Sequence, residues 1–239
     1  MLEINEIFGP TIQGEGKLVG SPSVFIRFGK CNFKCEGFAV EYETPSGVKK
    51  CACDTYYAVD TEFKDTWTKY KSYEEIVNEV DKLISIYPYN YKIDIVITGG
   101  EPLLYWNKEE FQKLLEHYIN AGHKVTIETN ASLNLNIDKE YQKELLFSMS
   151  VKLSNSLEPI KKRININTLN TILNNTKESY LKFVIGKDFL NDAKKEINEI
   201  LSLIPKCDVY LMPLGDTAEQ INKNCEDVIN MSIENGFKY

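Results

Sequence analysis

From Tyr73 onward the chain alternates short runs of β-branched and aromatic residues with stretches whose apolar residues recur every three or four positions. No other feature constrains the fold as tightly. Ile93-Asp-Ile-Val-Ile-Thr98, Val125–Thr129, Phe147–Leu153, Leu181–Ile185 and Val209–Met212 read as strands. Tyr73, Ile76, Val77, Val80, Leu83, Ile84 and Tyr87 mark a helix that Ser72 caps and Pro88 stops. A second helix over Phe111, Leu114, Leu115, Tyr118 and Ile119 ends at Gly122, and helical patterns recur over Leu190–Ile204 and Ala218–Ile233. Such repetition implies parallel strands joined by right-handed crossovers, in a doubly wound sheet or a barrel, complete or partial. Ligands then sit at the carboxyl ends of the strands. The rule gathers on one face the loop after the strand Ser23–Phe28, the Gly99-Gly100 turn, Glu128-Thr129 and Met212-Pro213.

With 239 residues, 43% of them hydrophobic and 26% charged, the chain suits a single α/β domain spanning 1–239. Its formal net charge of -7 opposes binding to phosphate backbones and favours a small-molecule substrate over nucleic acid. No apolar run approaches the roughly 20 residues that cross a bilayer, and Met1-Leu2-Glu3-Ile4 does not resemble a secretory leader. The expectation is a cytoplasmic protein with no membrane partner.

In that compartment six cysteines point to metal or redox chemistry rather than to disulfides. Cys31, Cys35, Cys51 and Cys53 fall in one stretch that follows a strand, whereas Cys207 and Cys225 stand alone and read as packing residues. Glu41–Lys50, inside a cysteine-loop insertion at about 36–52, is polar and rich in turn residues. Four thiols could hold a structural zinc ion, although Cys51-x-Cys53 is tighter than the usual zinc spacing. Three thiols could hold a 4Fe-4S cluster and leave one iron open to a ligand. After the strand Ile93–Thr98, Gly99-Gly100-Glu101-Pro102 lets a ligand approach the backbone, with Glu101 able to accept from a cationic amine.

Thr98-Gly-Gly-Glu-Pro102 after a cysteine loop resembles the radical S-adenosylmethionine superfamily. Glu6-Ile-Phe-Gly-Pro-Thr-Ile-Gln-Gly-Glu-Gly16, Phe25-Ile-Arg27, Cys31-Asn32, Cys53-Asp-Thr55, Glu128-Thr-Asn130 and Ser150-x-Lys152 together are similar to the 7-carboxy-7-deazaguanine synthase family. The likeness implies an incomplete, modified (β/α) barrel, usually a homodimer, with a 4Fe-4S cluster, S-adenosylmethionine and Mg²⁺. It also implies an electron donor such as flavodoxin or ferredoxin. The implied reaction is radical-mediated ring contraction of 6-carboxy-5,6,7,8-tetrahydropterin to 7-carboxy-7-deazaguanine with loss of ammonia, a step toward queuosine and other 7-deazapurines.

By the same resemblance Cys31, Cys35 and Cys53 hold the cluster, Cys53 being chosen because Asp54-Thr55 follows it, and Thr55 is the protein ligand on Mg²⁺. Ile12, Gln13, Gly14, Glu15, Arg27 and Thr98 face the pterin, Arg27 gripping its carboxylate. Gly100, Glu101, Glu128, Ser150, Val151 and Lys152 face S-adenosylmethionine. The chain departs from the family in the long insertion before Cys53. Members also continue past the equivalent of Phe237-Lys-Tyr239 into a segment with Arg and His, and His117 and His123 read as surface residues rather than replacements. A glycyl-radical activase and a non-catalytic Cys₄ zinc module are the rival readings.

Overall fold

The computed structural model describes residues 1–87 and 91–239; the helix stop expected at Pro88 lies outside them. Among the described residues ten strands are present: β1 (Leu2–Ile12), β2 (Pro22–Phe28), β3 (Val40–Glu43), β4 (Lys49–Ala52), β5 (Thr68–Tyr70), β6 (Asp94–Gly99), β7 (Val125–Thr129), β8 (Leu146–Ser150), β9 (Tyr180–Ile185) and β10 (Val209–Pro213). Eight of them form one sheet in the order β10-β9-β8-β7-β6-β2-β1-β5. From β2 to β10 neighbouring strands are parallel, as the alternation requires. Because β10 and β5 are both edges, the sheet curls without closing, which makes it a partial (β/α) barrel.

Helices α1 (Tyr56–Val59), α2 (Tyr73–Ile84), α3 (Glu109–Asn120), α4 (Ile160–Arg163), α5 (Ile166–Asn175), α6 (Leu190–Leu201) and α7 (Ala218–Asn235) complete the chain. The apolar stripes of α2 (Ile76, Val77, Val80) and α3 (Phe111, Leu114, Leu115, Tyr118) are buried in one core with the outward residues of the strands. Ser72 occupies the α2 N-cap position in extended conformation, but its side chain bonds none of the helix amides. Glu110 accepts from the Tyr73 amide at 2.9 Å instead, so a neighbouring helix supplies the cap. Along β2, Val24, Ile26 and Phe28 enter the core while Phe25 and Arg27 turn to the concave side.

Three elements go beyond the sequence reading. β1 pairs antiparallel with β2 and β5, but its register shifts between Ile4 and Glu6 and again between Phe8 and Thr11, and these irregularities erase the alternation that would reveal a strand. The Asn-rich Asn165–Asn175 stretch is α5, capped by the Asn165 side chain accepting from the Thr168 amide at 3.1 Å. The polar insertion is a hairpin: Val40 pairs with Ala52 and Glu43 with Lys49. Among the described residues no helix is long and apolar enough to cross a membrane.

Candidate active site

At the carboxyl ends of the parallel strands lies a cavity of about 360 Å³. Just past β2 the backbone turns left-handed at Lys30 (φ 72°) and does so again at Cys35 and Ala39. Ala131 and Leu157, in the loops after β7 and β8, share this conformation. For residues with a Cβ such strain costs about 1–3 kcal/mol each and concentrates at functional sites. Surrounding bonds hold the cysteine loop. Asn32 donates to Ser132 at 2.8 Å and accepts from Asn130 at 2.9 Å, and Glu158 accepts from the amides of Lys34 and Cys35 at 2.6 and 3.2 Å. Burial alone would raise the Glu158 carboxyl, but Lys162 and these amides outweigh it and hold it below its ordinary value.

Cys31, Cys35 and Cys53 all line the cavity. Cys51 does not: it is exposed on β4, opposite Glu41 in the hairpin. Among the described residues no three Cys, His, Asp or Glu side chains converge where a single ion could be held. Three thiols around a wider space, with the fourth turned away, fit a cluster with one open iron better than a tetrahedral Cys₄ zinc ion. Burial pushes the Cys31 thiol up, and it pushes the Cys35 thiol up to about 12 against the pull of Lys152. Metal must therefore displace protons when it binds.

The Gly99-Gly100 pair has a structural reason. A Cβ on Gly99 (φ 135°) would lie 2.1 Å from the Phe28 carbonyl oxygen, and one on Gly100 would lie 2.1 Å from that of Lys30 and 3.1 Å from the Cys31 Cβ. The turn thus packs directly against the cysteine loop, with the Glu101 amide donating to Lys30 O at 2.8 Å. Overpacking of this kind costs roughly 1–3 kcal/mol. Gly100→Ala is expected to lower Tm by about 2–10 °C and to reduce iron retained after reconstitution, because the displaced backbone at Lys30 leads directly into Cys31, a thiol of the cavity. Calorimetry beside iron analysis checks this; unchanged values would mean that the two backbones part freely.

Glu101 departs from its expected place against a ligand amine. It is wholly buried and does not line the cavity. Its carboxylate accepts from Thr129 Oγ1 (2.7 Å) and from the amides of Asn130 (2.7 Å) and Leu103 (2.9 Å), tying the turn after β6 to the end of β7. Desolvation raises its pKa against the pull of those bonds.

Arg27, near the carboxyl end of β2, lines the same cavity as the thiols. Its Nε donates to Glu6 at 2.7 Å, and its guanidinium carbon lies 5.6 Å from the Phe8 ring centre and 5.9 Å from that of Tyr57. Thr98 Oγ1 donates to Glu128 at 2.7 Å, and both face the same space. Lys152 donates to Ser150 Oγ at 2.7 Å on the β8 side. Thr55, the cap residue of α1, has its hydroxyl 3.4 Å from the Cys53 sulfur.

The cavity thus unites Gln13, Glu15, Arg27, Thr98, Gly100, Glu128, Ser150, Lys152, Thr55 and the three thiols. Ile12 and Gly14 are exposed on the outer side of the Gln13 loop, and Val151 is buried behind Ser150, so none of these three lines it. His117 packs against Tyr73 and Tyr118, and His123 bonds the Ile93 carbonyl at 2.7 Å; both lie outside the site. Cys207 packs on the core, and Cys225 lies 2.7 Å from the Tyr239 hydroxyl. Sequence reasoning missed Glu158, which has no local signal. It also missed Lys182, which has one, being a lone charge in the apolar run Tyr180–Ile185.

The fold and the three-thiol site define a class, and a family model described as the Radical SAM superfamily matches residues 26–228. The chain is 28% identical to 7-carboxy-7-deazaguanine synthase of Halobacterium salinarum over 100% of its own length and 87% of that protein. It is 31% identical to the synthase of Clostridium acetobutylicum, covering 85% of this chain and 78% of that one. Within the superfamily the chain therefore belongs to the 7-carboxy-7-deazaguanine synthase family. Among solved structures it superposes on QueE from Escherichia coli with a TM-score of 0.63 at 20% identity, over 99% of this chain and 92% of that chain. Streptococcus suis SuiB bound to S-adenosylmethionine shares the fold with a TM-score of 0.52 at 15% identity, over 86% and 46% of the two chains.

Proposed function

We propose that this protein is a 7-carboxy-7-deazaguanine synthase, converting 6-carboxy-5,6,7,8-tetrahydropterin to 7-carboxy-7-deazaguanine with loss of ammonia. It works in the cytoplasm as a homodimer reduced by a flavodoxin- or ferredoxin-like donor. One observation supports the reading above others: three thiols and a guanidinium flanked by aromatic rings line one cavity. The chemistry that the cluster and S-adenosylmethionine supply when bound is removal of a substrate hydrogen by an adenosyl radical.

This chain's residues supply the rest. Gly100 and the Ser150–Lys152 segment hold S-adenosylmethionine, the Ser150 hydroxyl and Lys152 ammonium meeting its polar groups. Arg27 binds the substrate carboxylate, while Gln13, held between Ile12 and Gly14, seats the ring beside Thr98. Thr55 offers one oxygen to Mg²⁺, enough for an ion that keeps most of its waters. Phe25, Phe33 and Phe38 exclude solvent from the walls.

The test is anaerobic reconstitution followed by incubation with the carboxylated tetrahydropterin, reductant, S-adenosylmethionine and Mg²⁺. The expected result is a product with the mass of 7-carboxy-7-deazaguanine and release of ammonia. Protein that retains iron and cleaves S-adenosylmethionine, yet leaves this pterin unchanged, refutes the assignment.

A further inference from the structure

The β1–β2 loop reaches the amino ends of β8, β9 and β10, at the end of the partial barrel opposite the thiols. Leu18 packs on Leu146, Tyr180 and Tyr210 at the starts of β8, β9 and β10. Gly16 lies so close to Tyr180 that a Cβ would stand 2.2 Å from its hydroxyl. Lys17 donates to the Glu178 carbonyl at 3.4 Å. A loop held this firmly fixes Glu15, and Glu15 is the ion-pair partner of Lys182.

Lys182 belongs to β9, whose alternate residues Leu181, Phe183 and Ile185 fill the core; on the other face Lys182 and Val184 line the cavity. Its side chain is only 8% exposed. Burial alone would lower its pKa, but Glu15 and then Glu128 outweigh burial and hold the ammonium charged. Desolvating both charges offsets much of their attraction, so such a pair gives a fold little by itself. An ammonium has three donors, and among the described residues Glu15 alone accepts one from Lys182. The floor therefore presents spare N–H donors beside spare carboxylate oxygens.

A ring edge on which a carbonyl adjoins an N–H and an exocyclic amine complements that pattern. Resting on the pterin reading given above, we propose that Lys182 and Glu15 form a ring-reading floor. The ammonium donates to the ring carbonyl of a 2-amino-4-oxopyrimidine while the carboxylate accepts from its N–H and amine. Arg27 then grips the carboxylate, and Lys182 selects the heterocycle.

Equilibrium dialysis of reconstituted protein against pterin-6-carboxylate and 2,4-diaminopteridine-6-carboxylate, in which an amine replaces the ring carbonyl, tests the assignment. Wild-type protein is expected to prefer the carbonyl ligand by roughly tenfold or more, the worth of one charge-assisted bond. Lys182→Met, similar in volume, should bring that ratio near one with iron content unchanged. Equal binding of both ligands by wild-type protein overturns the proposal, even where the variant does not fold. So does a Lys182→Met protein that keeps the wild-type ratio while losing stability, since Lys182 is then structural. Wild-type protein that binds neither ligand removes the pterin reading, and the floor falls with it.

Discussion

Alanine at Cys31, Cys35 or Cys53 is expected to abolish both iron retention and reductive cleavage of S-adenosylmethionine, whereas Cys51→Ala keeps both. The three thiols share one cavity, and each lies within electrostatic reach of the other two. Cys51 projects from the hairpin into solvent. Removing one of three ligands leaves a cluster iron without a protein thiolate, and no thiol nearby can substitute without dismantling β4. Iron and sulfide analysis, with chromatographic detection of 5'-deoxyadenosine, gives the answer for all four variants. A full cluster in Cys35→Ala together with its loss in Cys51→Ala would reverse the assignment.

The second large effect is expected at Arg27, where methionine should lower kcat/KM for the carboxylated pterin by about ten- to a thousandfold. A hydrogen bond to a charged group is worth roughly 1.5–3 kcal/mol, and a guanidinium offers two in parallel to a carboxylate. The geometry is prepared for it: Glu6 engages Nε, and the rings of Phe8 and Tyr57 flank the plane. No described residue bonds the two terminal nitrogens. Arg27→Lys should recover only part of the loss, because a point charge cannot match both oxygens. Iron content and Tm should hold, since the Glu6 side chain is 40% exposed and water can solvate it once Arg27 is gone. Unchanged kinetics in Arg27→Met would exclude the clamp, and loss of iron would make Arg27 a structural residue.

Much of this architecture was legible in the chain because the parallel strands β6 to β10 are short runs rich in β-branched, aromatic and other apolar residues with periodic helices between them. What escaped notice was non-local or irregular. β1 carries two register shifts, so its inward and outward residues do not alternate cleanly. The helix α5 is held by buried Thr168, Leu169 and Ile172 and by its asparagine cap, while its abundant Asn suggests a loop. The Gly99-Gly100 pair was visible as a site of close approach, but which backbone approaches depends on the path of the cysteine loop. Glu101 illustrates the same limit: its acidity marks it as functional, and only the fold reveals that Thr129 and Asn130 occupy it. Lys182 stands out in its strand, yet its partner Glu15 lies on the far side of the sequence, where no local pattern connects the two.

The hairpin between Cys35 and Cys53 has a further consequence. Val40 and Ala52 are cross-strand partners, so the insertion leaves and returns at nearly one point. Lys50 ties it down through Asp60 at 2.8 Å and Glu62 at 2.7 Å, and Tyr42 stacks on Tyr56 with ring centres 4.3 Å apart. Along its contour the cysteine loop is long, but in space it is short. Cys35 and Cys53 are joined by a staple rather than a tether. Bringing the two thiols together then costs the entropy of the few residues outside the hairpin, not that of the whole insertion. The tip at Ser46-Gly47 is therefore a place where sequence can be lengthened, shortened or labelled while the spacing of the thiols stays the same.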